Sequence, residues 1–574
     1  MAATSDLDRV TAIVLQYMRA PFLVLLGTYA LGITGMSLMP GLEGASGGGR
    51  INLFHSFYFF TFTATTTGFG EIPGQFSEPQ RLWATVCIYT GAVAWLYAIG
   101  SFIQLVQHPN LVTAVSERRF ARQVRSIADP FVVICGFGDT GSLLARGLSD
   151  NLRKAVMIDS DAERIKALKL RDYRVKMFGL CGDASVPRHL QDAGVTRECC
   201  QALVALTRSD ETNLKIAVMA RSLNPGLRII CRSTRKETRE YLEEVDNVIV
   251  VDPYDVFSRQ MCTAIFDPPL FNWMQRLIGA PDFHQQQSIA PPVGKWILCG
   301  YGRMGRALHS ALESRGIPTV IVDPGSNLID MHLPVVQRRA DCRTLQEAGI
   351  EEAVGVVAGT DSDEDNLGIL LSSRKLNPDA FLVVRQNHHE NELAFSGVNA
   401  NLIMQPSLVT ARQILQMLTV PTILNLRHYL RDEGRAEVPH LMERTHGILG
   451  QEKIHLWSEV LGRDCALKIL CERGVAPTLG DIQRRPMKRT QRLKVLALVL
   501  KRGNELMMLP KDETRLCIDD QILFCGTDSD HRLLGANLHN EYTLHYLHRG
   551  VEVPRTLFAA WFARRFSAGA DTLE

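Results

Sequence analysis

Thr63-Ala64-Thr65-Thr66-Thr67-Gly68-Phe69-Gly70-Glu71 is the stretch on which the reading of this 574-residue chain turns. Two glycines flank one aromatic residue directly after a run of threonines. A backbone that turns successive carbonyls to one side needs positive φ at intervals, which glycine tolerates and ordinary residues resist. The stretch follows an aromatic-rich segment, 52–62, and sits between two long uncharged runs. No charge occurs between Arg19 and Glu43, and 22–39 is mostly apolar. A bilayer core of ~30 Å needs about 20 helical residues, so this run is long enough to span. Few helices of soluble proteins are apolar all round for that length. Pro40-Gly41 ends it, and Ser46-Gly47-Gly48-Gly49 reads as a flexible loop. Residues 52–65 are too short to span and read as a helix that enters the membrane and turns back. Such backbone survives at that depth only when buried in protein or lining a wet path. A second uncharged run, 82–107, holds Trp83 and Trp95 and is interrupted by Gly91 and Gly100.

Thr66-Thr67-Gly68-Phe69-Gly70 resembles the selectivity filter of potassium channels, Thr-Val-Gly-Tyr-Gly. Thr67 stands at the valine position, Phe69 at the tyrosine position without its hydroxyl, and Glu71 where aspartate is usual. The resemblance implies a column of carbonyls that replaces the hydration shell of K+, repeated around the axis of a homotetramer. It also makes Gly91 the gating-hinge candidate, because glycine weakens a helix interior by ~1 kcal/mol where a bend is useful; close helix packing is the alternative. Arg9 and Arg19 precede the first run, and Arg118, Arg119, Arg122 and Arg125 follow the second. Basic residues concentrate on the cytoplasmic side, so both termini and the remaining ~450 residues are expected there.

The long remainder repeats. Phe131-Val132-Val133-Ile134-Cys135-Gly136-Phe137-Gly138-Asp139-Thr140-Gly141 and Lys295-Trp296-Ile297-Leu298-Cys299-Gly300-Tyr301-Gly302-Arg303-Met304-Gly305 each read as a strand, a glycine turn and a helix. Asp159 and Asp323 follow at the ends of the next strands. The run from Thr207 to Leu214 is echoed from Thr360 to Leu367, Asn224-Pro225 by Asn377-Pro378, and Arg259-Gln260 by Arg412-Gln413. A register held so far means two copies of one βαβ domain. In each copy the first glycine allows the tight turn, and the second lets the backbone approach a pyrophosphate at the helix N-terminus. Asp159 or Asp323 would accept bonds from ribose hydroxyls and repel a 2′-phosphate, favouring NAD or a simple adenine nucleotide such as ADP over NADP. Asp183 and Asp341 fall where adenine or ribose would lie, or serve as helix caps. Arg303 follows the second glycine of the second copy where Asp139 stands in the first, which ranks the second cleft as the better phosphate site. The acids Asp361, Asp363, Glu364 and Asp365 read as helix-start residues rather than a metal site, and His388-His389-Glu390 as a solvated loop, so no divalent-cation site is located.

The tandem copies behind a pore resemble the domains that regulate potassium conductance in prokaryotic ligand-gated channels with two transmembrane helices. That resemblance implies a homotetramer in a prokaryotic plasma membrane whose cytoplasmic gating ring binds a nucleotide, and a divalent cation such as Ca2+ is a further ligand of that family. The expected fold is a membrane α-helical pore, then two α/β Rossmann-like RCK domains and a small α+β lobe. Boundaries follow: a pore at 1–107 with helices near 20–40 and 82–107 and pore helix and filter at 52–71; a linker at 108–129; a first RCK domain with helical crossover at 130–290; a second at 295–420; a lobe at 421–540; a tail at 541–574. The crossover segment 258–279 reads as two helices bent at Asp267-Pro268-Pro269. The tail holds Trp561, Phe562 and Phe566 beside Arg564 and Arg565. Balanced charge, net +2, gives no sign of nucleic-acid binding, and thirteen scattered cysteines fit a reduced compartment. Two other classes are a membrane-anchored NAD-dependent oxidoreductase and the regulatory subunit of a potassium transporter. The first lacks a substrate domain and an acid–base set beside the glycine turns, so no enzyme is expected; the second is usually soluble and leaves the membrane runs unexplained.

Overall fold

The computed structural model describes residues 2–42, 50–70, 75–277, 290–325, 334–388, 391–431, 434–450, 452, 454–462 and 465–551. Glu71, the glycine loop 46–49, His389, Glu390 and the aromatic residues of the tail lie outside them. The chain divides into two compact units, one of Met1–Ala128 with Gln191–Gly194 and one of Asp129–Leu190 with Val195–Glu574.

The first unit holds four helices, Ala2–Leu38, Leu53–Ala64, Glu78–Gln107 and Pro109–Arg125. The apolar parts of the two long ones, Val14–Leu38 and Glu78–Gln107, have 25 and 30 residues. At 1.5 Å per residue these reach about 37 and 45 Å, more than the hydrocarbon core. The first helix starts well before residue 20. The inner helix starts at Glu78, ahead of residue 82, because Ser77 and Gln80 form a reciprocal capping box. Ser77 Oγ also donates to the Pro40 carbonyl (2.6 Å), pinning this start to the end of the outer helix. Small residues let the helices close up. A Cβ on Gly32 would lie 2.3 Å from the Phe60 ring, and one on Gly35 2.2 Å from the Trp83 ring. Leu82, Tyr89, Val93 and Leu96 stay exposed on the outside, as a lipid-facing or subunit-facing surface requires. The inner helix ends at His108, which leaves helical geometry (ψ 123°) just ahead of Pro109. The linker is itself a helix, and Tyr17 Oη contacts His108 Nε2 (2.6 Å) at its start.

In the second unit, β1 (Phe131–Cys135), β2 (Lys154–Asp159), β3 (Phe178–Cys181), β4 (Cys200–Ala205), β5 (Arg228–Arg232) and β6 (Val248–Val251) form one sheet. Its order is β3-β2-β1-β4-β5-β6, and every pair is parallel. The second copy supplies β7 (Trp296–Cys299), β8 (Thr319–Val322), β9 (Val335–Val336), β10 (Gly355–Ala358), β11 (Phe381–Arg385) and β12 (Leu402–Met404), in the same spatial order. This is the doubly wound arrangement, with a crevice where the order reverses, at the carboxyl ends of β1 and β4 or β7 and β10.

The echoed residues hold this frame. Asn213 Oδ1 accepts from Thr207 N–H (2.9 Å) while its Nδ2 donates to the Arg232 carbonyl (2.9 Å). Asn366 repeats both bonds with Thr360 (2.9 Å) and Arg385 (2.8 Å). Asp210 and Asp363 tie the loops after β5 and β11. Burial opposes charge on Asp363, yet the amides of Asn387 (2.7 Å) and His388 (3.1 Å) outweigh it and hold the carboxyl below its usual range. Asp363 is thus part of the scaffold, as read from the sequence.

Each copy ends in a broken helix pair, Pro253–Phe266 with Pro268–Leu277, and Pro406–Thr419 with Thr422–Arg431. The first helix of each pair crosses to the other copy. Tyr254, Phe257 and Met261 pack with Trp296, Leu298 and Leu308, while Ala411, Ile414 and Met417 pack with Val132, Ile134 and Leu144. The copies are therefore interlocked through their cores.

The C-terminal lobe is an antiparallel sheet of β13 (His455–Val460), β16 (Val495–Arg502), β17 (Glu505–Met508) and β18 (Gln521–Gly526), in the order β13-β18-β16-β17; β14 (Arg484–Arg485) and β15 (Lys488–Arg492) pair separately. The lobe runs past residue 540: Glu541–Arg549 is a helix whose Leu544 and Leu547 are fully buried, so the tail begins beyond it.

Candidate functional sites

The pore loop is built from the short helix Leu53–Ala64. Asn52 caps its start, accepting from His55 N–H (2.8 Å). Its end holds the next residues by their amides. The Thr63 carbonyl accepts from Thr66 (3.0 Å), and the Phe62 carbonyl from both Thr67 (3.0 Å) and Gly68 (3.2 Å). Thr66, Gly68 and Gly70 have φ of 57°, 64° and 76°, and Thr67 and Phe69 between them stay at negative φ. Alternating sign turns each peptide plane the same way as the one before. The amides of Thr66, Thr67 and Gly68 are committed to the helix, and an alternation of this kind turns successive carbonyls toward one side. Thr65 Oγ1 and Thr67 Oγ1 lie 2.9 Å apart and Thr65 Oγ1 donates to Thr61 O (2.8 Å), bracing the base of the loop. The negative end of the helix dipole points toward this segment, which favours a cation there.

Gly91 is buried, and a Cβ on it would lie 3.1 Å from Ala64 Cβ. The inner helix passes through it unbroken, so close packing of the pore helix accounts for the glycine without a bend.

Both glycine turns share one geometry. Gly136 and Gly300 have φ of 101° and 96°. A Cβ on Gly141 or Gly305 would meet the carbonyl of Gly136 or Gly300 at 2.2 or 2.1 Å, so the third glycine seats the helix against the turn. At the second glycine there is room. A Cβ on Gly138 would meet only Arg164 Nη1, at 3.8 Å, and one on Gly302 nothing within 4 Å. The amides of Asp139 to Gly141 precede the first helical bond, from Ser142 to the Gly138 carbonyl (2.9 Å). That is the cradle a phosphate needs. Asp159 and Asp323 brace the turns as well as facing the clefts. Asp159 Oδ2 accepts from Phe137 N–H (2.5 Å) and Asp323 Oδ2 from Tyr301 N–H (2.6 Å).

The clefts then diverge. The first, 720 Å³, is lined by Gly136, Phe137, Gly138, Asp139, Thr140, Asp159 and Asp183 together with Arg164, Arg171, Arg208 and Arg232. The second, 630 Å³, brings together Gly300, Gly302, Asp323 and Asp341, but adds Asp361, Glu364 and Asp365 against one arginine, Arg339. Gly141, Tyr301, Met304 and Gly305 lie under the turns and outside both linings. Arg303 does not face its cleft. Its guanidinium donates to Thr234 Oγ1 (2.6 Å) and lies over the Tyr254 ring (5.3 Å). The ranking by Arg303 and Asp139 is therefore reversed: the first cleft carries the positive charge. A further signal was in the echoed motif, where Arg208 of the first copy corresponds to Asp361 of the second. Asp183 and Asp341 are both held below the usual carboxylate range, by Ser185 N–H (2.7 Å) and Thr344 N–H (2.8 Å). Asp341 is the N-cap of Cys342–Glu347. Among the described residues, no group of three or more His, Cys, Asp or Glu is arranged to hold a metal ion.

Comparison with known proteins agrees with both halves. The ion channel family model matches residues 5–108, and the TrkA-N domain model matches 132–251 and again 296–406. The chain thus joins an ion channel domain to two TrkA-N domains. It is thus a membrane protein, with two apolar helices ahead of two parallel-sheet Rossmann-like domains. A probable potassium channel protein 2 of Methanocaldococcus jannaschii is 23% identical over 229 residues, 40% of this chain and 65% of the relative. An uncharacterized protein of Methanothermus fervidus is 26% identical over 219 residues, 38% of this chain and 33% of the relative. The chain thus spans less than two thirds of either relative. A solved GsuK channel is 16% identical, with 93% of this chain and 99% of that chain covered and a TM-score of 0.47. Both TrkA-N matches enclose their glycine turns and the acids Asp159 and Asp323.

Proposed function

We propose that this chain is a potassium-selective channel, working as a homotetramer in a prokaryotic plasma membrane, with a gate controlled by an adenine nucleotide such as NAD or ADP. The observation that carries the proposal is the pore loop: amides of Thr66 to Gly68 bound to the pore helix, and alternating φ that sends the carbonyls one way. Four such loops around an axis offer K+ a column of oxygens in place of water. The arginines after the inner helix support a cytoplasmic placement of both termini and both TrkA-N domains. The nucleotide's phosphates would lie over Gly138 and the start of the helix Asp139–Asp150, with Arg164, Arg171, Arg208 and Arg232 supplying countercharge and Asp159 the ribose contact. No divalent cation is assigned. A bound nucleotide moves the gate only by its differential affinity for the open and closed arrangements. Flux of K+ against Na+ into liposomes containing only the purified chain tests conduction; absence of K+-selective flux would refute it.

The carboxylates give a second test. Asp159→Asn is expected to weaken nucleotide binding by about 1–2 kcal/mol, the difference between charged and neutral hydrogen bonds. Asp323→Asn, in the acidic cleft, is expected to change it little. Calorimetric titration of the full channel with NAD and ADP reads both; a larger loss at Asp323 would return the ranking to the second cleft.

A further inference from the structure

The two copies differ at one position whose meaning depends on their interlocking. Each crossover helix opens with a proline, Pro253 or Pro406, and the next residue is Tyr254 in the first copy and Ser407 in the second. Because the helices exchange partners, Tyr254 meets the second copy's glycine turn, and Pro406 and Ser407 line the cleft of the first. Tyr254 is 4% exposed. Two guanidinium groups, those of Arg303 and Arg385, lie over its ring, each 5.3 Å from the ring centre. Arg385 Nη2 also donates to Tyr254 Oη (3.3 Å), and Arg385 Nη1 pairs with Asp361 (2.7 Å).

Arg385 stands where Arg232 stands in the first copy, since Asn366 and Asn213 bind their carbonyls in the same way. Arg232 lines the open first cleft. Arg385 is 9% exposed, outside the lining of the second cleft, and its buried Nε has no hydrogen-bond partner. The second copy therefore has a glycine cradle and two cations able to meet a phosphate, Arg303 and Arg385, and both are turned onto one aromatic ring. Cation–π contact satisfies the charge without an anion.

The geometry points to Tyr254 as a built-in lock that holds both cations away from the second cleft and so denies it nucleotide phosphate, leaving one nucleotide site per chain, in the first cleft. This rests on the nucleotide reading above, and deepens it by naming the residue that decides which cleft is used. Ser407, too small to reach Arg232 across the first cleft, leaves that guanidinium free to line it.

The test is the number of ADP molecules bound per chain, by calorimetry on the purified full-length channel. One is expected in the wild type and in Tyr254→Phe, which keeps the ring. Tyr254→Ser copies the residue of the other copy and is expected to bind two, while Ser407→Tyr is expected to bind none. Two sites in the wild type would overturn the proposal. So would one site in Tyr254→Ser with an unchanged melting temperature, or, if that variant does not fold, an unchanged count in Ser407→Tyr. If the wild type binds no ADP, the nucleotide reading fails, and phenylglyoxal modification of Arg385 followed by mass spectrometry still decides whether Tyr254 locks this arginine. At least tenfold faster modification in Tyr254→Ser than in the wild type supports it; equal rates refute it.

Discussion

Replacing Gly68 by alanine is expected to abolish potassium flux while leaving the subunits assembled. A Cβ at Gly68 would meet nothing within 4 Å in the chain, so crowding is not the cause. The cost lies in the backbone, since φ is 64° there and an L-residue pays ~1–2 kcal/mol for left-handed geometry. Thr66 already bears such a conformation, held by its amide bond to the Thr63 carbonyl (3.0 Å). Gly68 has weaker support, because its amide shares the Phe62 carbonyl with Thr67. Alanine is therefore expected to relax to negative φ and turn its carbonyl out of the column. In the proposed tetramer this happens four times at one level of the pore, so the expected effect on conduction is all or none. Helix packing within the chain through Gly32, Gly35 and Gly91 lies elsewhere and is untouched. Flux into liposomes measures the first half, and native mass of the purified complex the second. Flux at the wild-type rate would show that these carbonyls do not coordinate the ion.

The pore loop and the two glycine turns were legible because their chemistry is local. A glycine forced to positive φ, or seated against a neighbouring carbonyl, announces itself within a few residues. The bend at Asp267-Pro268-Pro269 was legible for the same reason: the structure places Asp267 between Pro253–Phe266 and Pro268–Leu277. What could not be read was any property set by the partner of a side chain. Arg303 follows a phosphate-binding glycine in sequence, yet a tyrosine from the other copy and Thr234 take its guanidinium. The charge of the first cleft comes from Arg164, Arg171, Arg208 and Arg232, four separate points along 69 residues of chain brought to one rim by the doubly wound sheet. Boundaries failed where capping decided them. The inner helix gains its first turn from Ser77 and Gln80, although Glu78 and Arg81 hide it from an apolarity count. The helix Glu541–Arg549 carries only Leu544 and Leu547 as fully buried anchors, too sparse a stripe to separate it from a tail.

The largest expected effect on regulation comes from the linker. The inner helix stops at His108, and Pro109–Arg125 starts a second helix whose Ala114, Phe120, Ala121 and Val124 are buried. This helix is the one covalent path between the pore and the TrkA-N domains. A bias applied at the TrkA-N end reaches the inner helix through it only while it is stiff. Ser116 lies on its exposed side, so a Gly-Ser insertion after it adds chain without removing a buried side chain. Each glycine in a helix interior costs ~1 kcal/mol relative to alanine, and a flexible stretch lets its two ends move independently. The inserted channel is expected to conduct K+ and to bind ADP as the wild type does, while open probability no longer changes when ADP is added. Single-channel recording with and without ADP reads this directly. Because Thr66–Gly70 and the first cleft are both distant in sequence from the insertion, loss of conduction or of binding would indicate misfolding, and loss of sensitivity alone would indicate uncoupling. Wild-type sensitivity in the inserted channel would mean that force passes through contacts between the TrkA-N domains and the pore, and the linker would then be a tether with no part in gating.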